Sequence, residues 1–212
     1  MTDLTGNTFF PGPAGRIEAI LKKPAGRVTR AAIVCHPHPL FGGTMHNKVV
    51  YRIARTFQDA GFAVLRFNFR GAGRSEGEHD YGRGEKDDLR AAIQFIEDKY
   101  PESEIWLAGF SFGSTVMLQA AACDERVSGF VAAGVPVSKY DLGEVAQCSK
   151  PKLFVQGSLD EFGPPEDLER LFSTLAEPKQ LRIIAGADHF FEGHLTELAG
   201  AVSEFVARTI QS

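Results

Sequence analysis

From Ala31 onward the chain repeats one pattern: a short, unbroken apolar run, a polar break, then a longer stretch with apolar residues at helical spacing. "AAIVCH" (Ala31 to His36) is the first such run, and "NKVVYRIARTFQDAG" follows it with Val49, Val50, Ile53, Ala54 and Phe57 on one helical face. "FAVLRFNF" (Phe62 to Phe69), "EIWLAGF", "VSGFVAAGV", "PKLFVQGS" and "QLRIIAG" are further strand-like runs. The helical stretches between and after them are "EKDDLRAAIQFIEDKY", "FGSTVMLQAAA", "PPEDLERLFSTLA" and "GHLTELAGAVSEFVARTI". Gly61 and Pro101 stand at helix ends, and acids crowd the first turn after Glu85, where they complement the helix dipole. Unbroken apolar strands alternating with helices predict a mostly parallel central sheet covered by helices on both faces. Ahead of this unit, "RIEAILKKP" (Arg16 to Pro24) alternates like an antiparallel strand and predicts a hairpin with Thr8 to Phe10.

A length of 212 residues suits a single domain spanning 1–212, and the apolar and charged fractions of 43% and 24% are those of an ordinary globular chain. The net charge of −4 comes with no basic block, which argues against a nucleic-acid partner. The start "MTDLTGNTFFPGPAG" lacks a basic, then apolar, leader, and no run is long enough to span a bilayer. The expectation is a cytoplasmic chain without a membrane partner. Cys35, Cys123 and Cys148 fit neither a disulfide framework nor a zinc pattern. Apolar or Ala-rich surroundings predict that Cys35 and Cys123 are buried and inert.

Parallel sheets of this kind bind ligands at the carboxyl ends of their strands, so the residues just past each run are the ones to read for chemistry. "GFSFG" (Gly109 to Gly113) follows the strand "EIWLA" and opens a helix. A G-x-S-x-G turn in that setting lifts a serine hydroxyl, here that of Ser111, above the sheet. It also aims the next backbone N–H, that of Phe112, at the reacting oxygen. A serine needs a base. "GADHFFEGH" supplies His189 after the last strand, with Asp188 and His194 as rivals. "QGSLDEFG" supplies Asp160 after the preceding one, with Glu161 as the alternative acid. In this reading His189 takes the Ser111 proton and Asp160 fixes the imidazole tautomer.

With these pieces in place, the chain resembles an α/β-hydrolase. More narrowly, it is similar to small lidless bacterial serine hydrolases of the dienelactone hydrolase and X-prolyl peptidase-like group. The segments that carry the likeness are "VCHPHPLFGGTMHNKVV", "LRFNFRGAGRSEG", "GFSFG", "GSLDEF" and "GADHFF". Dienelactone hydrolase uses a cysteine nucleophile, whereas Ser111 stands here. The resemblance implies that "HPHP" opens the loop holding the second oxyanion donor. Pro37 and Pro39 have no N–H, which makes the His38 backbone N–H the first choice, with Leu40 or Phe41 next. His36 is expected to brace the loop through its ring, and Arg70 and Ser75 to fix the loop "FNFRGAGRSEG".

A metal role for the histidines is disfavoured. His36 and His38 face opposite ways in an extended chain, and no Cys or acid joins them at ligand spacing. Only "GVPVSKYDLGEVAQCSK" fills the gap where many relatives insert a lid, so an open, shallow site is expected. Phe41, Phe112, Tyr140, Phe162 and Phe190 are candidates for its apolar rim. The function implied is hydrolysis of small carboxylic esters, without cofactor, by a monomer or homodimer. Peptidase, amidase or thioesterase chemistry on the same triad is the alternative, and a non-catalytic binding protein is a more distant one.

Overall fold

The computed structural model describes residues 6–139 and 142–210. Its sheet contains β1 (Gly6–Gly12), β2 (Gly15–Lys22), β3 (Arg30–Cys35), β4 (Ala63–Phe67), β5 (Glu104–Phe110), β6 (Val127–Ala133), β7 (Lys152–Gly157) and β8 (Lys179–Ile184). The helices are α1 (Lys48–Asp59), α2 (Arg83–Lys99), α3 (Phe112–Ala121), α4 (Pro165–Thr174) and α5 (Leu195–Thr209). The spatial order is β1-β2-β4-β3-β5-β6-β7-β8. β1 and β2 form an antiparallel hairpin whose register ends at Gly12 opposite Gly15, and β2 also runs antiparallel to β4. All other neighbours are parallel.

The apolar runs are unbroken because each strand buries both faces. Ala31, Ile33 and Cys35 of β3 join the layer under α2 and α3, while Ala32 and Val34 join the layer under α1 and α5. Helix starts are secured locally. The Asn47 side-chain Oδ1 accepts the Val49 N–H at 2.9 Å, and Glu85 reaches back to the Gly82 N–H at 2.8 Å. Gly61, at φ 86°, takes the left-handed turn out of α1.

The chain leaves β3 toward β4 on one side and returns to β5 on the other. This reversal opens a crevice at the carboxyl ends of β3 and β5, where a ligand site is expected. Between β6 and β7 the described residues hold only a helical turn at Gly143–Gln147, too short for a lid. No helix among the described residues is long and apolar enough to cross a membrane.

One expectation is corrected. Cys35 is buried, as is Cys148, but Cys123 is exposed. It follows the last turn of α3, where small residues pack near the core yet the chain has already turned outward, so composition alone misplaces it.

Candidate active site

Ser111 sits between β5 and α3 with φ 54° and ψ −124°, a conformation that costs a non-glycine residue about 1–3 kcal/mol. Its N–H donates to the Ala133 carbonyl of β6 at 2.9 Å, which ties the strained turn to the sheet. The flanking glycines are there for space. A Cβ on Gly109 would lie 2.6 Å from the Gly113 carbonyl, and one on Gly113 would lie 2.5 Å from the His36 carbonyl. The backbone of the turn therefore runs against the end of β3. The Phe112 N–H belongs to the first residue of α3, at the end of the helix that faces the turn.

The loops after β7 and β8 are stitched together before either reaches Ser111. Ser158 N–H donates to the Ile184 carbonyl and Leu159 N–H to the Ala187 carbonyl, both at 2.9 Å. Gly157 permits this approach, since a Cβ there would lie 2.4 Å from the Ala187 carbonyl oxygen. His189 Nε2 stands 3.0 Å from Ser111 Oγ. His189 Nδ1 stands 2.8 Å from Asp160 Oδ2 and 3.0 Å from Oδ1. A carboxylate only accepts, so Nδ1 carries the proton and Nε2 is the free acceptor beside the hydroxyl. Glu161, the alternative acid, is exposed, while Asp160 is 2% exposed. Asp188 accepts the Glu192 N–H at 2.9 Å and shapes the loop, and His194 lies at the start of α5 near Glu197.

Asp160 is held by groups that sequence reading overlooked. Phe162 and Gly163 N–H donate to its Oδ1 at 2.9 and 3.0 Å. Gln156 Nε2 donates to its Oδ2 at 2.9 Å and to the Gly163 carbonyl at 2.7 Å, while Gln156 Oε1 accepts the Val135 N–H. Gln156 is fully buried in β7. The available signal was a lone amide at the end of the apolar run "LFVQGS".

The loop after β3 is anchored by His36. Its Nδ1 lies 2.6 Å from the Pro37 carbonyl, so it donates there, and Nε2 accepts the Phe69 N–H at 2.9 Å. Both nitrogens are satisfied in the neutral ring, and burial pushes this histidine down to about 4. Neither nitrogen is left for a metal, and the described residues contain no cluster of three or more His, Cys, Asp or Glu suited to one. Beyond Pro37 the loop folds on itself. The Leu40 N–H points to His38 Nδ1 at 3.3 Å, and the Phe41 and Gly43 N–H groups both point to the His38 carbonyl at 3.1 Å. Leu40 and Phe41 therefore turn their N–H groups back onto the loop. No acceptor among the described residues takes the His38 N–H. The His38 ring packs 4.6 Å from His79, which stands beside buried Glu85, and burial followed by the His79 charge holds His38 below its ordinary value.

Arg70 and Ser75 are structural in their contacts. Arg70 grips Asp88 of α2, with Nη2 to Oδ1 at 2.7 Å, and Ser75 Oγ donates to the Asn68 carbonyl at 2.6 Å. A cleft of about 510 Å³ opens over Ser111 and His189. Phe162 and Phe190 line it, and Phe41, 87% exposed, stands at its mouth. Phe112 touches the cleft, but its side chain is buried against Phe69 and His38 and is core rather than rim. Tyr140 lies outside the described residues.

A serine hydroxyl, an imidazole and a buried carboxylate in one hydrogen-bonded line, on this sheet order, define a hydrolase of the α/β class. Comparison with known proteins agrees: the sequence profile of the alpha/beta hydrolase fold matches residues 34–147, and the chain belongs to that family. Its similar solved structures include a lidless α/β serine hydrolase from Xanthomonas campestris, 36% identical with a TM-score of 0.90, covering 98% of this chain and 96% of that one. Another is an α/β serine hydrolase homologue from Coxiella burnetii, 37% identical with a TM-score of 0.89, covering 96% and 97%. An uncharacterized protein of Rickettsia prowazekii is 37% identical over 96% of this chain and 89% of its own length.

Proposed function

We propose that the protein hydrolyses small carboxylic esters through an acyl-enzyme. The observation that supports this most is the continuous line from Ser111 Oγ through His189 to Asp160 at hydrogen-bond distances of 3.0 and 2.8 Å. Ser111 Oγ attacks the ester carbonyl carbon as His189 Nε2 takes its proton. The negative oxygen that forms is stabilised by the Phe112 and His38 N–H groups, a contribution of about a hundred-fold or more per donor in comparable sites. Collapse breaks the C–O bond to the alcohol, which leaves with the proton from His189. His189 then deprotonates a water that attacks the acyl carbon, releasing the acid and restoring Ser111. The imidazolium formed in each half is stabilised by Asp160, itself fixed by Gln156 and the Phe162 and Gly163 N–H groups.

An open cleft of about 510 Å³ with aromatic walls suits a small ester more than a polypeptide. Steady-state hydrolysis of p-nitrophenyl acetate and butyrate, with Ser111→Ala alongside, is the test. Turnover by the parent protein and background rates for the variant are expected. Equal turnover by the variant would remove Ser111 from the role of nucleophile. Labelling of Ser111 by a fluorophosphonate while esters stay intact would instead favour amide or thioester substrates.

A further inference from the structure

Among the described residues lining the cleft, Lys139 is the only side chain with a full charge at neutral pH. It follows β6, in the short connection that replaces a lid. Its ammonium stands 4.9 Å from the centroid of the Phe162 ring, and that ring packs 4.7 Å from the ring of His189. The aromatic face thus places the cation beside the reacting groups. No carboxylate among the described residues pairs with it. Its charge is one of the influences acting on His38, behind burial, His79 and Glu85. Asp160 serves His189, Asp188 caps the Glu192 N–H, and Glu85 is buried behind His79.

We propose that the cleft selects small esters that themselves carry a carboxylate or comparable anionic group, with Lys139 as the specificity-determining residue. The proposal rests on the esterase reading above. A cation that no carboxylate among the described residues pairs, on a wall whose other described residues include no Lys, Arg, Asp or Glu, leaves a neutral substrate with nothing to offer it, whereas an anionic one gains an ion contact in the cleft. A cation acting instead on the oxyanion would favour neutral and anionic esters alike, and this difference makes the proposal testable.

Two matched pairs place the anion on either half of the ester: p-nitrophenyl butyrate with mono-p-nitrophenyl glutarate, and phenyl acetate with p-acetoxybenzoate. For each pair the ratio of kcat/KM, anionic over neutral, is measured for the parent protein, Lys139→Met and Lys139→Glu. Because Lys139 is exposed, both variants are expected to fold, which their melting temperatures check. In at least one pair, Lys139→Met is expected to lower the ratio about ten-fold and Lys139→Glu further, and added salt is expected to narrow the parent's ratio. Ratios unchanged by both substitutions in both pairs would overturn the proposal while leaving the esterase reading intact. Absence of turnover on all four esters would overturn both.

Discussion

Replacing Asp160 by Asn puts a donor where His189 needs an acceptor. Phe162 and Gly163 N–H donate to the Oδ1 position and Gln156 Nε2 to the Oδ2 position, so the new amide nitrogen meets fewer donors at Oδ2, where it faces His189 Nδ1. His189 then shifts its proton to Nε2 and has no lone pair for Ser111 Oγ. Asp160→Asn is therefore expected to lower kcat by about ten-thousand-fold with the far-ultraviolet circular dichroism unchanged. A loss of less than ten-fold would contradict this role for Asp160. Ser111, Asp160 and His189 were legible as single residues because each follows an apolar strand and lies in a motif-like turn. Gln156 was not, since nothing in "LFVQGS" reveals that a buried amide there faces the carboxylate. The missing N–H of Pro37 and Pro39 put His38 ahead of Leu40 and Phe41, but where the latter two N–H groups turn was not legible. It depends on a loop folding back so that the Leu40 N–H meets His38 Nδ1 and the Phe41 N–H meets the His38 carbonyl, a matter of local backbone path rather than residue type.

At the scale of elements, the contact between α3 and β3 is set by the absence of a side chain at Gly113. A methyl group there would meet the His36 and Cys35 carbonyl oxygens at 2.5 and 2.6 Å, and both are backbone atoms that cannot swing away. Gly113→Ala is expected to destabilise the fold by about 2–3 kcal/mol in urea denaturation and to displace Ser111 and the His38 loop together. Unchanged stability would mean that the helix lifts freely from the strand. The strands and helices themselves were readable because two-sided burial and helical spacing leave strong periodic signals, as in "AAIVCH" and in Val49 to Phe57. The hairpin extended beyond the predicted Thr8 to Phe10, with β1 running Gly6–Gly12. Backbone pairing carried the strand through glycine and proline, which propensity alone would discount. Cys123 escaped for the opposite reason: Ala-rich surroundings speak of close packing but not of where a helix ends.

For the molecule as a whole, pH acts on stability through His36. This ring is buried at the junction of β3, the His38 loop and Phe69, and burial pushes it down to about 4 from an ordinary 6.5. Between those values the unfolded chain binds a proton that the folded chain does not. The contribution of neutral His36 is fully present above about pH 6.5, is lost as pH falls toward about 4, and amounts to roughly 3 kcal/mol. Denaturation across this range should show stability falling with acid, and His36→Gln should flatten that slope. A slope that persists in the variant would assign the acid sensitivity to other groups.

The central claim is that Ser111 is the nucleophile that His189 activates. The most direct measurement is stoichiometric labelling with a fluorophosphonate, mapped by peptide mass spectrometry, with esterase activity followed in parallel. A single adduct on the peptide bearing Ser111, forming in step with loss of p-nitrophenyl ester hydrolysis and absent from Ser111→Ala, is expected. Label on another residue, or full occupancy of Ser111 with hydrolysis undiminished, would contradict it.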